Sequence, residues 1–267
     1  MPFAVAGIMK MLMSRRFMAH SLVTGLLITD LFGLSAAEQA NEHPLNPVIR
    51  VLEKSLNTIQ AIPAYEATFT KKELVGNRMV SQQMKMKFRR EPFSVYFYFL
   101  GDLKGREVIY VHGSNNGHFL AHETGIASFA GTLRLAPTDT LAMNENRHPI
   151  TEAGIENLLL VVRKQWADEL KYGETDVKYY RNARLGKMVC RRIEVSHPRP
   201  RRQFRFHKTI LWIDDESSIA VRLQQFGFPV RSGAEAPIVE DYAFTDLHTN
   251  VRISDRDFDE NNPKYNY

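Results

Sequence analysis

The chain has 267 residues, 44% of them hydrophobic and 24% charged, and a formal net charge of +5. That is ordinary globular composition, which excludes a low-complexity or collagen-like chain, and a charge this small does not by itself point to nucleic acid. Cys190 is the only cysteine, so neither an internal disulfide nor a four-cysteine zinc site can form.

At the amino terminus, Lys10, Arg15 and Arg16 precede the apolar run Leu22 to Leu34, and Ser35-Ala36-Ala37 follows with small residues. This is the order of a secretory signal, predicted to span residues 1–37 with cleavage after Ala37. An uncleaved anchor needs about 20 consecutive apolar residues, and Asp30 interrupts this run. Losing 1–37 removes three basic residues and one acidic one, which lowers the charge from +5 to +3. The remaining residues, 38–267, read as a single domain in the periplasm or outside the cell, with no linker long enough to divide them.

From Leu45, the residues Val48, Leu52, Leu56 and Ile59 recur at three and four positions, predicting an amphipathic helix that Pro63 ends. Tyr65 to Val75, the turn Gly76-Asn77 and Met79 to Arg90 read as a hairpin. In its second strand Met84, Met86 and Phe88 alternate with Lys85, Lys87 and Arg89, the period of one buried and one wet face. After Glu91-Pro92, the run Phe93 to Leu100 is apolar or aromatic almost throughout, as in a strand covered on both faces. Arg106 to His112 and His118 to Glu123 extend the meander, and Gly131 to Leu135 adds a short strand. Thr151 is expected to cap a long helix from Glu152 to Tyr172, closed by Gly173. Strands then resume at Asp176 to Tyr180, Lys187 to Ser196, Phe204 to Asp214, Ile219 to Phe228 and Asp241 to Leu247, before a polar, acidic tail. About ten strands and two long helices give an α+β fold, a large antiparallel sheet with helices packed on one face. Sheets of this size tend to curl.

The order of these elements, with Phe88-Arg89-Arg90-Glu91-Pro92-Phe93 leading into an aromatic strand, then Gly117-His118-Phe119, and Ile210 to Phe226 with its acidic turn, resembles the periplasmic lipoprotein carriers of the LolA type. The segments Asn146 to Thr151, GREVIYV and DFDENNPKY more closely resemble an exported bacterial domain-of-unknown-function family. The carrier resemblance implies a curved half-barrel around a hydrophobic cavity for acyl chains, while the closer one implies no activity.

Phe93, Val95, Phe97 and Phe99 share one strand face, and Tyr96, Tyr98 and Leu100 share the other. One set packs as core and the other lines any cavity, and alternation alone assigns neither. The cavity candidates are Phe88, Phe93, Val95, Phe97, Phe99, Tyr110 and Trp212. Candidates for a polar head group or a partner are Arg89, Arg106, Asn146, Arg147, His148, Arg201 and Arg202. Asn146 to Thr151 leads into a helix amino end, which attracts anions, although a helix cap with ties from Asn146 and Arg147 to the sheet accounts for the segment without any ligand. The run His197 to Arg205 is the densest positive charge. In an exported protein it suits anionic lipid or an acidic envelope partner, or simply a solvated loop.

His112, His118, His122 and His148 invite a metal or acid–base reading, but His118 and His122 would stand about 13 Å apart on a strand. No H-E-x-x-H or G-x-S-x-G motif is present. The expectation is therefore a non-enzymatic binder or carrier of a lipid or other hydrophobic ligand, with no cofactor, no metal, no catalytic residue and no nucleic acid. An anionic membrane surface or another envelope protein would be a further partner. A filled-core envelope scaffold is the alternative, and a histidine hydrolase the third.

Overall fold

The computed structural model describes residues 42–267 apart from Ser232, so the expected signal segment lies outside the described residues. Glu42–Tyr267 forms one compact unit with its own core. Among the described residues no helix is long and apolar enough to cross a membrane.

Eleven strands form one open, curved, antiparallel sheet. The first meander is β1 (Ala64–Val75), β2 (Arg78–Arg89), β3 (Ser94–Phe99), β4 (Glu107–Val111), β5 (Phe119–His122) and β6 (Thr132–Leu135). The second is β7 (Asp176–Leu185), β8 (Met188–Ser196), β9 (Lys208–Asp214), β10 (Ala220–Phe226) and β11 (Ile238–His248). The last strand of the second pairs with the first strand of the first, Phe69 opposite Phe244 and Glu73 opposite Glu240. The sheet therefore reads β6-β5-β4-β3-β2-β1-β11-β10-β9-β8-β7. Each meander is local in sequence, and one long-range pairing joins them.

The helices are α1 (Leu45–Gln60), α2 (Thr140–Met143) and α3 (Ile155–Glu169). On α1, Leu45, Val48, Leu52, Leu56 and Ile59 form the fully buried stripe that their spacing predicts. Ser55, buried on that face, accepts the Ala220 N–H at 2.7 Å and ties α1 to β10. The α3 stripe Ile155, Leu159, Val162 and Trp166 completes the layer. Burying each such side chain contributes about 2 kcal/mol.

Several boundaries differ from expectation. α3 begins at Ile155 and not Glu152, and Thr151 sits in a separate 3₁₀ turn, Ile150–Glu152, so it is not the cap. The cap is Gly154 at φ 107°, where a Cβ would come within 2.8 Å of the Phe88 ring and 3.2 Å of the Tyr65 hydroxyl. That hydroxyl accepts the Ile155 N–H at 3.0 Å, so a sheet side chain does the work expected of Thr151. The helix ends at Glu169, and Gly173 does not take the expected left-handed conformation. β9 starts at Lys208 rather than Phe204, because Phe204 is drawn into a stack on His197, with centroids 3.8 Å apart.

The two-sided burial of β3 is explained by two different covers. Val95, Phe97 and Phe99 face the helical side. Tyr96 faces the opposite side and joins Ile109, Leu120 and Phe258 beneath the carboxy-terminal tail. Tyr265 stacks on Tyr96 at 4.2 Å, and the ion pairs Lys87–Asp257 and Arg89–Asp255, each 2.6 Å, peg the tail across β2. Glu107, buried under this cover, accepts from the Asn266 backbone and side chain. Burial raises its carboxyl above the usual range.

Candidate functional site: a cavity beneath the sheet

The helical side of the first meander is incompletely filled. A cavity of about 380 Å³ lies between the inner face of the sheet and the segment running from β6 through α2 to α3. Its floor comes from inward positions of neighbouring strands, chiefly Phe69, Met84, Phe97, Phe99, Val108 and Phe119. Leu133, Leu135, Leu158 and Val161 form walls, and Leu141, which also lines the cavity, is 64% exposed and marks its mouth.

One side of the cavity is polar. Lys71 and Glu73 follow Tyr65, Ala67 and Phe69 at every second position of β1, so the strand period turns them inward. Their ion pair is 3.2 Å long, and both side chains are almost fully buried. Lys71 also donates to the Glu145 carbonyl at 2.9 Å and to the Asn146 side chain. Burial lowers its pKa, with Glu73 opposing. Glu73 in turn accepts from the Tyr242 hydroxyl at 2.6 Å and from the Arg147 N–H at 3.0 Å.

Glu240, opposite Glu73 on β11, accepts from Arg147 Nε at 2.7 Å and lies 3.2 Å from His148 Nε2. Burial would raise its pKa, but these partners hold it below the usual carboxylate range. His148 Nδ1 meets Glu152 at 3.0 Å, so carboxylates face both ring nitrogens and raise the imidazole pKa, the Glu240 bond contributing most. Arg106 bridges Glu123 and Glu145, at 2.8 Å each, and Gln82 donates to Glu145 at 2.9 Å. These groups satisfy one another and staple residues 145–152 to the sheet. They therefore do not present a free cation to a ligand.

Of the cavity candidates, Phe97 and Phe99 line the space. Phe88, Phe93, Val95 and Tyr110 lie on the same sheet face but belong to the packed core, Phe88 stacked on Tyr65 at 4.7 Å and Phe93 edge-on to Phe88 and Tyr110. Trp212 is on the opposite face, where it donates to Gln224 and lies beside Arg192 and Arg222. Among the polar candidates, Arg106, Asn146 and His148 border the cavity. Arg147 points to Glu240 and the Leu74 carbonyl, tying the loop to the sheet. Arg89 lies under the tail, Arg201 pairs with Glu174 at 3.0 Å, and Arg202 is exposed on the same loop. The histidines are not gathered: His148 is on the inner face, whereas His122 packs against Tyr267 on the outer. Among the described residues no cluster of three or more His, Cys, Asp or Glu is placed to hold a metal.

Sequence reasoning passed over Lys71, Glu73, Glu240 and Tyr242. The available signal was their inward parity with Phe69 and Phe244.

A family model described as a protein of unknown function, DUF1571, matches residues 62–267. The chain belongs to this family. The match meets the expectation drawn from Asn146 to Thr151, GREVIYV and DFDENNPKY. No curated protein matches the sequence. Similar solved structures include the lipoprotein LppX of Mycobacterium tuberculosis, 11% identical with a TM-score of 0.45, covering 78% of this chain and all of LppX. A LolA superfamily protein from Nitrosomonas europaea is 9% identical with a TM-score of 0.32, covering 79% of this chain and 96% of that one. The MucA/MucB complex of Pseudomonas aeruginosa is 10% identical with a TM-score of 0.43, covering 80% of this chain and 60% of that one.

Proposed function

We propose that this protein is a non-enzymatic carrier or binding protein of the periplasm, freed of residues 1–37, that holds a hydrophobic ligand such as an acyl chain in the cavity beneath β1 to β6. The observation that carries this reading is the cavity itself, about 380 Å³ walled by Phe69, Phe97, Phe99 and Phe119. It falls within the roughly 300–1,000 Å³ of ligand pockets, which are mostly apolar with a few placed polar groups. Natural interiors are close-packed, and a void of this size forfeits dispersion contacts along every wall unless something fills it. The mutually satisfied polar rim favours a neutral or weakly polar ligand, because an anion would have to displace Glu73 or Glu145 from Lys71 and Arg106.

Mass spectrometry of the protein purified under native conditions is expected to show a co-purifying lipid, and a fluorescent acyl probe is expected to bind and be displaced by it. A protein that carries nothing and leaves the probe free would end this reading in favour of a scaffold.

A further inference from the structure

The two ends of the sheet differ. Because every strand pair is antiparallel, the β1–β2, β3–β4, β5–β6, β8–β9 and β10–β11 connections emerge at one end, and β2–β3, β4–β5, β7–β8 and β9–β10 at the other. The first end carries exposed apolar side chains at its tips: Met79 beside the first turn, Ile126 and Phe129 each 90% exposed, and Val230 92% exposed. Exposed Arg78, Lys104, Arg199, Arg202, Arg205 and Arg231 stand on or beside the same connections, against Asp102, Glu235 and Asp176, which starts β7 opposite Ser196, as exposed acids among the described residues. The opposite end shows Asn115-Asn116, Gly186-Lys187 and Asp215-Glu216-Ser217, and among the described residues its connections carry no large exposed apolar side chain.

We propose that the first end docks on an anionic lipid bilayer, with Ile126, Phe129 and Val230 entering the interface and the arginines of loop 197–207 lying against the head groups. Scattered apolar tips interleaved with cations form no continuous groove that a peptide or a second copy would fill, but they match an interface with a negative surface and an apolar interior. Each cation near such a surface adds to attraction, which decays within the Debye length. Arg201 is already paired with Glu174, so Arg199, Arg202 and Arg205 are the cations this loop has to offer. The placement also serves the cavity. Leu141 at its mouth belongs to α2, and the next residue after α2, Asn144, accepts through its carbonyl from Arg78 at this same end, at 3.0 Å.

The test is flotation of residues 42–267 with vesicles of phosphatidylcholine containing phosphatidylglycerol, beside vesicles of phosphatidylcholine alone. Binding is expected to the anionic vesicles, to weaken with salt, and to fall about tenfold or more in an Ile126→Ser/Phe129→Ser variant and in an Arg199→Glu/Arg202→Glu/Arg205→Glu variant. Lys187→Glu at the opposite end is expected to leave binding unchanged. All these side chains are exposed, so melting temperatures and acyl-probe binding are expected to match the parent, which separates docking from cavity occupancy. Equal binding by all variants, or equal loss with Lys187→Glu, overturns the proposal. A concentration-dependent dimer that the Ile126/Phe129 variant abolishes, without vesicle binding by the parent, assigns the face to self-association and also overturns it.

Discussion

The two faces of β2 to β5 begin from the same material and end differently. On the outer face Tyr96, Ile109 and Leu120 are sealed by the chain's own tail, through Phe258 and the Tyr265 stack. On the inner face Phe97, Phe99, Val108 and Phe119 are spanned by residues 132–161, yet a cavity remains above them. The covers are attached differently. The tail is seated by rings packed on rings, with ion pairs at its margin. The inner segment is held largely by charged groups at one rim, from Arg106–Glu145 through Lys71–Glu73 to His148–Glu240. Ring packing fills space as it binds, whereas a polar staple fixes the rim and leaves the middle open. An aromatic strand therefore does not by itself imply a cavity; the manner in which its cover is fastened decides whether one is left.

Breaking the inner staple gives the largest expected effect. Glu73→Leu leaves a buried lysine without its carboxylate and takes the acceptor from both the Tyr242 hydroxyl and the Arg147 N–H. Removing one partner of a buried pair costs about 3–5 kcal/mol. Urea denaturation is the check, and a loss below about 1 kcal/mol would show that residues 145–152 are held by something else. Breaking the outer cover is expected to cost somewhat less. Phe258→Ala removes the tail's main apolar anchor beneath the Arg89 guanidinium, for a loss of about 3 kcal/mol. Ligand binding on the other face should survive. If probe binding fell with it, the two faces would not be separate.

This comparison was only half legible in the sequence. The meanders, the α1 stripe and the two-sided burial of β3 all follow from apolar period, because each is decided within a dozen residues. The outer cover was missed because Ser254 to Tyr267 reads as a polar tail, although Phe258, Tyr265 and Tyr267 within it carried the signal. The site was less legible. Parity puts Phe97 and Phe99 on one strand face without saying what lies over it, and Phe88, Val95 and Tyr110 share that face yet lie in packed core, since the extent of a cavity depends on where a cover from elsewhere in the chain stops. Likewise, the start of α3 at Gly154 was set by the distant Phe88 ring and Tyr65 hydroxyl, which no local capping rule contains.

Filling the inner cavity would make the two faces alike. Ala121, on β5 between Leu120 and His122, is buried against the cavity. Ala121→Phe places a ring into existing space, so the stability change is expected to stay within about 1.5 kcal/mol, unlike overpacking of a filled core. Acyl-probe binding should be lost. Retained binding at the parent's affinity would move the ligand elsewhere. A destabilisation of about 3 kcal/mol would instead show that the space is not available to a side chain.

The smallest effect concerns the charge on His148 at the inner rim. Its pKa is raised, chiefly by the hydrogen bond with Glu240 and against the opposing pull of burial. A histidine whose folded pKa exceeds its unfolded value of about 6.5 adds stability that is fully present below that value and is lost as pH rises through the folded one. His197 contributes in the same sense: burial pulls its pKa down, but the Glu169 carboxylate, the Glu174 carbonyl and Asp176 together more than offset this. Melting temperature is thus expected to decline above about pH 6.5, the decline to shrink in His148→Gln and to shrink further in His148→Gln/His197→Gln. Glu240 acts oppositely. Its pKa is lowered, so its contribution is held above the ordinary glutamate pKa, about 4.3, and is lost only as pH falls through the depressed value. The staple should therefore be strongest between those two limits. Identical slopes in the parent and both variants would mean that His148 stays neutral between Glu152 and Glu240, and that Arg147 alone answers the Glu240 carboxylate.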